Sequence, residues 1–96
     1  ISLLGGSGTL NWKIYNNTFV NYCHGISSGA ATPAGAGGVD IYNNHFHDGA
    51  NWDSDSGNVC HMDGLHFFDG GVDAGHQGGQ WPFLHVNVYN NLFDGD

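Results

Sequence analysis

Apolar and polar residues alternate through Val39, Asp40, Ile41 and Tyr42, and the pattern closes with two asparagines and a phenylalanine. The same phrase occurs three times: WKIYNNTF from Trp12 to Phe19, VDIYNNHF from Val39 to Phe46, and VNVYNNLF from Val86 to Phe93. A period of two is that of a strand with one buried face, which puts Val39 and Ile41 inside and Asp40 and Tyr42 outside. Carried one step further, the alternation puts Asn43 inside at the strand's end. Sliding the template along the chain gives a more diverged copy from Leu65 to Val72, with Leu65 and Phe67 inward, Phe68 for Tyr, Asp69 for the first Asn and Val72 for Phe. The copies start at Trp12, Val39, Leu65 and Val86, so they are 27, 26 and 21 residues apart.

Equal phrases at so short a period predict one supersecondary unit stacked on copies of itself. A propeller blade needs roughly 40 to 45 residues, and the regular leucine framework of a leucine-rich repeat is missing. Gly5-Gly6-Ser7-Gly8 starts like a calcium-binding nonapeptide, but the Asp that should follow does not. What remains is a coil of short parallel strands climbing ~4.8 Å per turn, right-handed by the crossover rule. Turn-rich connections are expected at 31–38, 57–64 and 73–82, with short second strands near Cys23 to Ser27 and Asn58 to Met62.

These residues resemble the right-handed parallel β-helix, or pectin-lyase-like, family, whose repeats commonly read apolar-x-apolar-x-Asn-Asn-x-Phe. Asp63-Gly64-Leu65-His66-Phe67 is similar to the Asp-Gly-Ile-x-Ile phrase that often opens a rung of such a protein. The resemblance runs from position 12 to 93 and implies an all-β fold: a single β-helix domain or segment over 1–96, of about four rungs, read as part of a longer helix. It also implies an internal ladder of Asn16, Asn43, Asp69 and Asn90, because buried amides must be paired. Phe19, Phe46, Val72 and Phe93 would form one apolar stack, and Ile14, Ile41, Phe67 and Val88 another.

Composition supports the all-β reading. All nine acids are Asp, Lys13 is the one basic residue besides histidine, and 17 glycines supply turns. Glu and Arg are absent, which removes the best surface helix formers. A formal charge of −8 argues against nucleic acid or anionic membrane as a partner. No run approaches the ~18 apolar residues of a membrane helix, and no basic-then-apolar start suggests a signal peptide. Cys23 and Cys60 could form one disulfide in an oxidising compartment or remain buried thiols. Asn16-Asn17-Thr18 fits the glycosylation sequon but falls at a strand end.

Stacking the copies sorts the outward residues into two files. One is Lys13, Asp40, His66 and Asn87; the other is Tyr15, Tyr42, Phe68 and Tyr89. The aromatic file is either a platform for sugar rings or a column of side chains packed on one another. In the polar file a carboxylate between a cation and an imidazole can orient the imidazole for proton transfer near neutral pH. The resemblance to β-helix polysaccharide lyases implies a base plus a cation that neutralises a uronate, which assigns His66 as proton shuttle, Asp40 as its orienter or a metal ligand, and Lys13 as the neutraliser. The arginine common in pectate-lyase-like enzymes is absent here. Asp63 with Asp69 is the nearest pair for hydrolytic acid and base work.

The oxygen-rich stretch from Asn51 to Asn58 offers Asp53 and Asp55 as calcium ligands, against a simple Asx-rich turn. The seven histidines have no recognised zinc spacing and are expected to be scattered over the surface. The functional expectation is an extracellular protein that binds or degrades a polysaccharide along the outward strand face, as a lyase or glycoside hydrolase if catalytic. The rival is a structural or adhesive module without chemistry that self-associates through open sheet edges.

Overall fold

Among the described residues the strands come as three successive passes of three, each pass pairing in parallel with the one before it. The computed structural model describes residues 1–4, 8–30, 36–49, 63–69 and 83–94. Among them the first pass holds β1 (Ser2–Leu4), β2 (Gly8–Tyr15) and β3 (Thr18–Val20). The second holds β4 (His24–Ala30), β5 (Ala36–Tyr42) and β6 (His45–His47), and the third β7 (Asp63–Asp69), β8 (Phe83–Tyr89) and β9 (Leu92–Asp94). Every pairing is parallel, and the three sheets run β1-β4-β7, β2-β5-β8 and β3-β6-β9. The protein is thus all-β, with each strand pairing to the third strand before or after it.

The three clear copies of the phrase stack in register. Trp12, Val39 and Val86 form one file, as do Ile14, Ile41 and Val88, and Phe19, Phe46 and Phe93 form another on the neighbouring sheet. The diverged copy does not join them. Leu65 pairs with Ile26, His66 with Ser27 and Phe67 with Ser28, on the sheet headed by β1. An apolar-polar alternation says which face of a strand is buried but not which sheet the strand belongs to, so the template matched a strand of the wrong wall. Three passes replace the expected four rungs among the described residues. The second strand expected near Cys23 is the longer β4; the one expected near Asn58, like Val72, lies outside the described residues.

The corners between sheets explain a second difference. Asn16, Asn43 and Asn90 have φ of 56°, 55° and 52°, and all three are exposed. Asparagine tolerates this left-handed conformation better than most residues. A left-handed residue reverses the in-out alternation, so the inward amide is the next one along. The ladder is therefore Asn17, Asn44 and Asn91. Asp69 lies in β7 beside Ala30 and takes no part in this column. Asn11, Gly38 and His85 form a second left-handed column (φ 51°, 74° and 58°), and Asn21 and Asp48 a third (φ 53° and 50°).

Asn44, at 2% exposure, fills its hydrogen-bonding capacity. Its Oδ1 accepts from the backbone N–H of Asn17 at 3.1 Å and from Asn17 Nδ2 at 2.9 Å. Its Nδ2 donates to the Ile14 carbonyl and to Asn91 Oδ1, both at 2.9 Å. Two donors and two acceptor sites are all that an amide owns. Asn91 repeats the motif by donating to the Ile41 carbonyl at 2.9 Å.

Around this polar column the buried core is Leu3, Ile14, Ile26, Val39, Ile41 and Phe46. The rings of Phe19, Phe46 and Phe93 stack nearly parallel with centroids 4.5 and 4.8 Å apart. Phe46 also lies against Gly25, where an added Cβ would come within 2.8 Å of its ring and 2.6 Å of the Gly64 carbonyl oxygen. Glycine is thus required there by close approach of ring and backbone. Tyr22 packs edge-on to Phe46, and burial of its ring raises the phenol above its ordinary pKa of 10.0. Cys23 is disulfide-bonded, and the sequence holds one other cysteine, Cys60.

Candidate functional site

The outward face of the β2-β5-β8 sheet carries most of the residues expected to do chemistry. Alternation in β2 turns Lys13 and Tyr15 outward once Ile14 is buried, and the parallel register repeats that choice one strand at a time. Lys13, Asp40 and Asn87 are register partners, and Asn87 Nδ2 donates to Asp40 Oδ1 at 2.9 Å. These three, with Trp12 and His85, line a shallow depression of about 470 Å³. Its imidazole is that of His85, an exposed residue with a left-handed backbone (φ 58°). Alternation alone turns His85 outward, because it directly precedes the inward-facing Val86.

His66 is not in this file. It lies on β7, in the sheet that contains β1 and β4, and its Nδ1 bonds to Asp63 Oδ2. The grouping of His66 with Lys13 and Asp40 is therefore replaced by Lys13, Asp40 and Asn87, with His85 alongside.

The tyrosine file is present for three of its four members. Tyr15, Tyr42 and Tyr89 are register partners with ring centroids 5.0 Å apart at each step and interplanar angles of 2°. Parallel rings that close must overlap, so the faces of Tyr42 are turned to its neighbours. The file is thus a ridge rather than a flat apolar platform. Open ring faces belong to Tyr15 and Tyr89 at its ends, which are 47% and 46% exposed. Phe68 belongs to β7 and pairs through its backbone with Gly29, away from this ridge.

A second group of polar side chains gathers on the β1-β4-β7 sheet. His24 and Asp63 are register partners at the starts of β4 and β7. The His24 and His66 rings lie 4.8 Å apart at an angle of 37°. His24, Asp63 and His66 each offer one ligand atom such that all three atoms fall within 4.8 Å of one another. The expectation of scattered histidines fails here because strand pairing joins residues far apart in sequence. A usable signal was the likeness of His24-Gly25-Ile26-Ser27 to Asp63-Gly64-Leu65-His66, which aligns the two strands as the structure does. Asp63 and Asp69, the pair expected for hydrolytic work, stand at opposite ends of β7, six residues apart along the strand, and at its Asp63 end the strand meets two imidazoles.

On the third sheet His47 Nδ1 contacts Asp48 at 2.9 Å, and His45 Nε2 lies 3.6 Å from Asp94, both near the surface. Asp53 and Asp55 lie outside the described residues. Comparison with known protein families, with curated proteins and with solved structures finds no match to this chain.

Proposed function

We propose that this chain belongs to an extracellular protein of the right-handed parallel β-helix type and binds a polysaccharide on the outward face of β2-β5-β8. The reading rests on one observation: a register-matched polar file of Lys13, Asp40 and Asn87 lines a depression beside tyrosines that repeat every 5.0 Å. A repeating surface suits a repeating ligand, and sugar hydroxyls pair with carboxylate, amide and ammonium groups alike. The glycan would lie across the strands, its hydroxyls on the polar file and one ring on the exposed face of Tyr15 or Tyr89. With a formal charge of −8 and Lys13 as the sole Lys or Arg, a neutral glycan is favoured over a polyuronate. The disulfide at Cys23 supports an oxidising compartment.

If turnover accompanies binding, it is hydrolysis on a neutral glycan and elimination only on a uronate, whose carboxyl acidifies the proton removed. In either case His85 is the imidazole placed to move a proton, with Asp40 lining the same depression. A glycan array read with and without calcium, together with mass analysis of the products, tests the reading. Retention of a neutral glycan supports binding, and shortened or unsaturated products add catalysis. No retention of any glycan rejects it.

A second reading, a structural module that self-associates, is favoured by the apolar groups on the outer strands. Ile1, Trp12 and Val20 are exposed along one side of the stack, and Val88, Leu92 and Phe93 along the other. Concentration-dependent sedimentation into long stacks would support it; a monomer at all concentrations would remove it.

A further inference from the structure

We propose that His24, Asp63 and His66 form a binding site for a divalent first-row transition ion of the zinc class, separate from the glycan-binding face. The three side chains come from two adjacent strands of one sheet, and their ligand atoms lie within 4.8 Å of one another. Zinc–nitrogen and zinc–oxygen bonds of ~2.0 to 2.2 Å leave ligand atoms of one ion well inside that span, so small side-chain rotations close the set. All three residues are partly buried, which lowers the cost of desolvating the ligands while leaving a path for the ion.

The donor set selects the metal. Two imidazoles and one carboxylate suit zinc, iron(II), cobalt or manganese, whereas calcium and magnesium prefer oxygen alone. Three protein ligands also leave coordination positions for water, the arrangement of a site that can polarise a ligand or activate water rather than one that only staples a fold.

Backbone geometry holds the ligands before any ion arrives. Gly25 and Gly64 follow His24 and Asp63, and each lies against the phenylalanine stack, so a Cβ on Gly25 would approach Phe46 to 2.8 Å and one on Gly64 would approach Phe93 to 2.6 Å. This close packing fixes the strand starts from which His24 and Asp63 project. The hydrogen bond between His66 and Asp63 keeps these two side chains adjacent, and a bound ion would take the place of its proton.

The test is cobalt(II) titration of the purified, disulfide-intact chain, read by visible absorbance, beside histidine-selective NMR of the unmodified chain with zinc. One equivalent with intense d–d bands is expected, with zinc shifting the His24 and His66 imidazole signals and leaving His47 and His85 in place. His24→Ala and Asp63→Asn should each weaken binding by more than about tenfold. Equal perturbation of all histidines, or absence of saturable binding, overturns the proposal. The NMR measurement needs no variant, so it decides the matter even if a substitution prevents folding.

Discussion

The side-chain amide of Asn44 donates to Oδ1 of Asn91 at 2.9 Å, joining two residues 47 positions apart in the chain. Removing such a group takes the acceptor from the Asn17 N–H and Asn17 Nδ2 and a donor from the Ile14 carbonyl, while Asn91 Oδ1 keeps only the backbone N–H of residue 44. Asn44→Ala is expected to destabilise the protein by roughly 2 to 4 kcal/mol, and Asn44→Asp by at least as much, because a carboxylate there cannot donate. The neighbouring Asn43→Gly should be nearly neutral, since glycine takes φ of 55° without strain. Chemical denaturation of the three variants measures the contrast; equal losses at 43 and 44 would contradict the ladder as described.

Gly25→Ala and Gly64→Ala look alike in sequence and should differ in cost. At Gly25 the added methyl would meet the Gly64 carbonyl oxygen at 2.6 Å, an unyielding backbone atom. At Gly64 the nearest atom belongs to the ring of Phe93, which is 52% exposed and can move aside. A loss of about 2 to 3 kcal/mol is expected at Gly25, and clearly less at Gly64. Thermal melts of both variants decide it.

Burial makes Tyr22 favour its neutral phenol, so its folded-state pKa lies above the unfolded value of 10.0. The stability it contributes is full below about pH 10 and is lost as pH rises through the folded-state pKa. Tyr22→Phe should therefore lose stability less steeply than the unmodified protein in that alkaline range. Identical slopes from denaturant titrations across it would argue against burial as the cause.

Asp40 and Asn87 hold one another across adjacent strands at the lip of the depression. Asp40→Ala is expected to weaken glycan affinity about tenfold, the loss of one to two hydrogen bonds, with little effect on melting temperature. His47→Ala, on another sheet, should bind as the unmodified chain does. Calorimetry with the glycan retained on the array provides the measurement, and equal effects of the two substitutions would move the site elsewhere.

Much of the architecture was legible because strand alternation survives in Val39-Asp40-Ile41-Tyr42 and its two close copies. The in-register files of Lys13 with Asp40 and Tyr15 with Tyr42 follow from that alone. The diverged copy misled because Leu65 and Phe67 obey the same alternation on a different wall. Asn43 misled because its left-handed backbone reverses the parity that alternation assumes. The approach of His24 to Asp63 and His66 depends on loop lengths: on their sheet, register partners of β1 and β4 such as Ser2 and Ser27 are 25 positions apart, and those of β4 and β7 such as His24 and Asp63 are 39 apart. A search for a uniform period is blind to such a change.

The asparagine column also has a direction. Asn17 gives its hydrogens to Asn44, and Asn44 gives its own to Asn91, so the sequence of donors and acceptors reads one way only. Like a row of magnets laid pole to pole, it distinguishes its two ends: a strand docking above must offer a donor to Asn17, and one docking below must offer an acceptor to Asn91. Two copies of this chain could extend the column head to tail, but not head to head, so any growth along it is vectorial and leaves no twofold axis across the join.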